Sequence, residues 1–332
     1  MSNSHLSFLD ISIAFIWLLI ILFISISKSK RIENKSLQKY YVPNVLFKCF
    51  FAIFFAIIYI LFYGGGDTTA YWDGAITLNK LFVKSPVEYF SHLFSEPTPA
   101  LRSLHFDTFT GYPPGWIYRE SEAWFVCKLS SIVSFFTFRS YFAATLIFAY
   151  FTARSSWRVF EMICNMKTHN AKIAAYCILF VPTVSFWCTG ISKDTVIYFS
   201  ILNVLYYTFD FLILKNRIRI RNLFLIGFSL FLIFHIRSSV AAAIAAPLFM
   251  AFGARLTKKY EQNILAKLLL RSLILFGGVG LFLYFFQSSF AIELVKEAQL
   301  VQQDFLQHAT YTGKRYEISN TDVSPLGLLL AV

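Results

Sequence analysis

Charge is what this chain has least of. Only 14% of its 332 residues are Asp, Glu, Lys or Arg, and 57% are hydrophobic. An ordinary soluble domain carries roughly 25% charged residues, so the composition argues against a water-exposed globule. Acids are the scarcer sign, 18 against 30 Lys and Arg. The resulting net charge of +12 would suit nucleic acid, but there is neither an RNA-binding motif nor a basic helix with interleaved aromatics. No nucleic-acid partner is expected. The apolar runs do not alternate, which argues against a β-barrel. Cys49, Cys127, Cys164, Cys177 and Cys188 form no C-x-x-C pair, so no zinc or redox motif is indicated. The N-terminus lacks the basic region and small-residue site of a cleavable signal. There is no internal repeat and no low-complexity linker, so 1–332 reads as a single transmembrane domain.

What the chain has is long apolar runs, each near the roughly 20 residues that cross a hydrocarbon core. The first lies at 8–26. Lys28, Lys30, Arg31, Lys35 and Lys39 follow, with Lys48 just beyond. The positive-inside rule makes that loop cytoplasmic. A run at 43–63 returns the chain, so Asp67 faces outward. A long outer segment, 64–138, holds the densest group of acids, with Asp67, Asp73, Glu88, Asp107, Glu120 and Glu122 among them. Within it, Ser85, Pro86 and Glu88 make a helix start with a capping box. Val87, Tyr89, Phe90, Leu93 and Phe94 then give an apolar face suited to the membrane surface. The run 123–138 is short and interrupted by Lys128, and reads as re-entrant or surface-lying. Spans then fall at 141–157, 173–187, 195–214, 223–235, 240–252 and 272–286. This predicts an all-α polytopic membrane protein of about eight transmembrane helices. Every strongly basic loop lands on one side. A second outer segment is expected over 287–325. The chain stops at Val332, a few residues into a new apolar run, and is expected to be truncated.

The unusual polar residues share the outer depth. Asp67 follows Gly64-Gly65-Gly66 and precedes a helical run. It reads either as an N-cap or as a general base or metal ligand at the water–lipid boundary. Asp73, six residues on, is about 240° around a regular helix and does not share its face. Lys193 and Asp194 begin a span that Ser192 can cap. Asp suits that positive helix end; Lys does not, which leaves phosphate binding or snorkelling as its two readings. Arg237 is a phosphate clamp or an interfacial anchor. His235 beside it reads as a structural histidine, and Glu120 and Glu122 as a helix start that could complete a site. Asp67 is thus the candidate catalytic residue, with Asp73, Lys193, Asp194, His235 and Arg237 as the candidate substrate-binding set.

Asp67-Thr68-Thr69-Ala70-Tyr71, placed after a span and followed by Ser85-Pro86 and Tyr89-Phe90, resembles the GT-C superfamily of polytopic membrane glycosyltransferases. The run from Pro182 to Asp194 is similar to one in bacterial members of that type. The resemblance implies an acidic catalytic residue in the first outer loop, where Asp67 stands. It also implies transfer of a sugar from a polyprenyl-phosphate carrier on the outer face of a bacterial inner membrane. Membrane lipid and a lipid-linked donor are the implied partners, and a divalent metal is an open possibility. The chain differs from the family in an extra N-terminal span. Two other readings stay open: a polysaccharide polymerase or ligase using lipid-linked repeats, leaning on Lys296, Lys314 and Arg315, and a transporter or flippase.

Overall fold

The structure is a computed structural model that describes residues 7–166, 170–212, 220–259 and 264–287. Every regular element among these residues is helical. Helix α1 (Phe8–Ser29) is started by Ser7, whose hydroxyl accepts from the Asp10 amide at 3.1 Å. Its Phe8, Phe15, Leu19 and Phe23 side chains point away from the protein, and only Ala14, Ile21, Ser25 and Ser29 are buried. A helix so apolar on its outer surface is stable in lipid, not water. After the short α2 (Lys35–Gln38), α3 (Tyr41–Ile57) runs on into a π-helical turn, Ile58–Phe62. Phe8–Ser29 and Lys35–Phe62 are both long and apolar enough to cross a membrane, as the sequence predicts for 8–26 and 43–63.

The segment 64–138, expected to lie outside, folds as α4 (Asp67–Lys84), α5 (Pro86–Phe94), α6 (Pro99–His105), α7 (Gly115–Arg119) and α8 (Ser121–Phe136). Helices α4 and α8 pack side by side in the same direction, Gly74 against Cys127 and Asn79 against Ser134, around Trp72, Ala75, Leu78, Trp124 and Val126, all essentially buried. A side chain at Gly74 would put its Cβ 2.7 Å from Cys127 Sγ, so this close approach needs glycine. The expected single apolar face of α5 is divided. Tyr89 packs inward with His92, while Val87, Phe90 and Phe94, at i, i+3 and i+7, stay exposed. Ser85 accepts from the Glu88 amide at 3.4 Å, but Glu88 Oε2 is buried without a hydrogen bond, so only half of the expected capping box forms. Lys128, the charge inside the apolar run, donates to Ser95 O at 2.8 Å and ties α8 to the end of α5.

Helix α8 meets α9 (Tyr141–Asn165) at a 108° bend. Phe138 and Arg139 at the corner are both in the left-handed region, at φ 50° and 63°. Arg139 Nε holds it by donating to Asn79 Oδ1 at 2.7 Å. Counting this bent pair as one span raises the number of candidate spans to three. Among the described residues, the expected spans 223–235, 240–252 and 272–286 coincide with the apolar helical stretches Ile220–Ile236, Ser238–Met250 and Leu268–Gly278. The run 173–187 is split into α10 (Ala171–Ile178) and α11 (Pro182–Trp187), because Pro182 has no N–H with which to continue a helix. Beyond these come α12 (Lys193–Leu212), α13 (Ile220–Ile236), α14 (Ser238–Lys259) and α15 (Ile264–Gln287).

Cross-helix polar contacts fix the bundle. Asn44 Nδ2 on α3 donates to Ala153 O on α9 at 2.9 Å, and Ser140 Oγ donates to Asp10 O on α1 at 3.0 Å. Lys48, expected at the edge of the cytoplasmic loop, is instead fully buried on α3. Its Nζ donates to Ser185 Oγ at 2.8 Å and faces the Tyr198 ring at 5.8 Å. The chain divides into two compact units, one through Ala241 and one from Ala242. In the second, α14 and α15 approach closely where Gly253 meets Ile274 and Gly278 meets Phe249. From residue 288 onward, which covers Lys296, Lys314, Arg315 and the expected truncation at Val332, the chain lies outside the described residues.

Candidate functional site

Three helix starts meet just beyond the far end of α3. The first is set by the glycines. Gly64, Gly65 and Gly66 have φ of 67°, 128° and 153°, values that side-chain-bearing residues rarely adopt. Gly66, not Asp67, is the cap residue of α4. Its N–H donates to Thr69 Oγ1 at 3.0 Å, and that hydroxyl donates back to Gly66 O at 2.9 Å. With the capping position taken, Asp67 becomes the first helical residue, and the N-cap reading of Asp67 is corrected. Thr68 Oγ1 and the Tyr141 hydroxyl, 2.7 Å apart, anchor this turn to α9.

The second and third starts supply the partners. Glu120 precedes α8 and Glu122 lies in its first turn; Lys193 and Asp194 open α12. Ser192 caps α12 as predicted, accepting from the Thr195 amide at 3.1 Å. Lys193 Nζ sits 3.1 Å from Glu120 Oε2 and 3.3 Å from Glu122 Oε2, and the lysine side chain is only 18% exposed. These carboxylates explain why a lysine tolerates a positive helix end: two anions outweigh the dipole. Arg237, between α13 and α14, reaches Asp194 Oδ1 with Nη1 at 3.2 Å.

Asp67 feels three of these groups, Lys193, Glu120 and Asp194. Burial pushes its carboxyl above the usual carboxylate range; the Lys193 ammonium opposes the shift, and the Glu120 and Asp194 carboxylates reinforce it. The neighbouring Tyr71 phenol is raised too, first by burial and then by Asp67, so it stays neutral. Asp67, Glu120, Glu122 and Asp194 outnumber Lys193 and Arg237 by two charges. The site can therefore accept a proton at Asp67 and can present two cations, each already paired with a carboxylate.

No family model matches this chain, and no curated protein or solved structure is detectably similar to it.

Of the six residues picked from the sequence, Asp67, Lys193, Asp194 and Arg237 come together. Asp73 and His235 stand apart. The Asp73 side chain is exposed farther along α4, where its backbone carbonyl accepts from Thr77 Oγ1 at 2.9 Å. The His235 ring packs on Phe125 at 4.5 Å and on Phe231 at 5.4 Å between centroids, which matches its structural reading. Among the described residues, no three His, Cys, Asp or Glu side chains are grouped to hold a metal. Sequence reasoning missed the pair His92 and His105, with Nε2 and Nδ1 2.9 Å apart. Spacing of 13 residues across two short helices carries no signal for such a pair.

Proposed function

We propose that the chain is a polytopic membrane glycosyltransferase of GT-C type with about eight spans, acting at the outer face of a bacterial inner membrane. The sugar comes from a polyprenyl-phosphate carrier, and Asp67 is the general base. The observation that carries this reading is the raised Asp67 carboxyl amid Lys193, Glu120 and Asp194. A base works best with a pKa near the operating pH, and burial among acids moves a carboxylate that way.

Asp67 takes the proton of an acceptor hydroxyl as the acceptor oxygen bonds to the anomeric carbon. The bond from that carbon to the carrier phosphate oxygen breaks, and its electron pair leaves with the phosphate. Lys193 and Arg237 turn from their carboxylates to meet that charge. Their existing ion pairs hold them in place until an anion competes for them.

The test is sugar transfer by the purified full chain from a labelled polyprenyl-phosphate sugar. Asp67→Asn removes the base and lowers the rate by about 10²- to 10⁴-fold. The parent rate rises with pH through a midpoint above the ordinary carboxylate range. A variant as active as the parent overturns the assignment.

A further inference from the structure

The opposite end of α3 holds a second charged region, separated from Asp67 by the length of the span, roughly 33 Å at 1.5 Å per residue. Here a cleft of about 420 Å³ opens among Lys28, Arg31, Glu33, Arg154, Arg158 and Glu161. Its volume lies in the range of small-ligand sites, about 300–1,000 Å³. Tyr41 and Tyr206 also line it. The four cations exceed the two carboxylates by the charge of a phosphate dianion.

Two of the four cations, Lys28 and Arg158, are held by neutral groups. Lys28 Nζ donates to the Tyr150 hydroxyl at 3.1 Å and lies 5.7 Å from the Tyr150 ring centroid. Arg158 Nη1 donates to the Tyr207 hydroxyl at 3.0 Å and to Asn203 Oδ1 at 3.3 Å. Its guanidinium also lies over the Tyr206 and Tyr207 rings, at 5.8 and 5.6 Å. Arg31 and Arg154 make no ion pair among the described residues. The positive-inside rule asks only for cations in the loop. It does not ask for two arginines from α9, one of them oriented by tyrosines, around a cavity.

We infer that this cleft binds a phosphate-bearing group, either the headgroup of an anionic lipid or a soluble phosphate ester. Arginine forks are the usual partners of phosphate oxygens. The inference does not depend on the Asp67 reading, since the two sites lie at opposite ends of the span.

The test uses the full chain, purified in detergent, with two probes: phosphatidic acid in mixed micelles and inorganic pyrophosphate in buffer. Arg31→Gln and Arg154→Gln each weaken binding about tenfold, the weight of one charge-assisted hydrogen bond. Arg154→Lys keeps part of the affinity. Lys30→Gln and Lys39→Gln, in the same basic loop but outside the cleft, change it less than about twofold. Response to phosphatidic acid alone assigns a lipid headgroup; response to pyrophosphate assigns a soluble ester. Binding of neither probe overturns the inference. So does equal weakening by the loop lysine variants, which would mean a diffuse basic surface. Thermal unfolding of Arg31→Gln and Arg154→Gln at the parent temperature separates lost binding from lost folding.

Discussion

Lys193 and Arg154 are both cations at a mouth of the same helix bundle, yet Lys193 touches two carboxylates and Arg154 touches none among the described residues. At the Asp67 end, charges answer one another across three helix starts, and acids are in excess. At the Tyr41 end, two cations are oriented by tyrosine and asparagine side chains, and bases are in excess. The first arrangement is electrostatically closed, so a ligand must break pairs to enter. The second is open, and its two carboxylates, Glu33 and Glu161, leave its four cations in excess. A cation at the end of an apolar helix bundle therefore says little about function until its partners are known.

The contrast should be clearest in acid, because the segment between α4 and α8 carries a neutral buried histidine. His92 is 1% exposed, and its pKa is pushed down to about 4, first by burial, then by His105 and Lys128. In the unfolded chain the same ring titrates near 6.5. Between those values the unfolded state binds more protons, so stability falls as pH drops from about 6.5 to about 4 and falls no further below that. The loss approaches about 3 kcal/mol. Thermal unfolding across that window measures it, and His92→Gln flattens the curve. A parent whose stability is constant from pH 7 to pH 4 would falsify the burial of neutral His92.

Removing Lys193 comes next in size. Lys193→Ala leaves Glu120 and Glu122 facing each other and Asp67 without a nearby ammonium, lowering stability by about 1–2 kcal/mol. Asp67 then shifts further upward, because the ammonium that opposes its shift is gone. The acidic limb of the pH–rate profile therefore moves to higher pH, and Lys193→Arg restores it. A limb that stays in place would show that the ammonium does not act on Asp67.

How much of this was readable beforehand differs between the two ends for a physical reason. Apolar run length and helix-start chemistry are local, so the spans at α1 and α3, the Ser192 cap and the bend-permitting glycines were all legible. That Asp67, Lys193 and Arg237 lie toward one end of the bundle was expected from counting the apolar runs. Pairings between distant segments were not legible. Nothing near Lys48 announces that Ser185, 137 residues away, will receive its ammonium. A lysine two turns inside a span could equally snorkel to the surface. Likewise nothing near Arg154 and Arg158 announces their cleft, because Tyr206, Tyr207 and Asn203 come from another helix. Apolar content is likewise visible in sequence, but the break before Pro182, which splits the run 173–187 into α10 and α11, falls inside a run that reads as continuous.

The smallest expected effect tests whether the outer cluster is as closed as its distances suggest. Arg237 and Asp194 are 3.2 Å apart, but their side chains are 49% and 43% exposed. Water and salt screen such a pair, so a double-mutant cycle with Arg237→Gln and Asp194→Asn should give a coupling of only about 0.2–1 kcal/mol. The coupling should shrink further at high ionic strength. A weak pair is what the proposed chemistry needs, since Arg237 must leave Asp194 to meet a departing phosphate. A coupling of several kcal/mol would mean the guanidinium is locked to its carboxylate. Arg237 would then be a strut between α12 and α13, and Lys193 alone would be left to meet the leaving group.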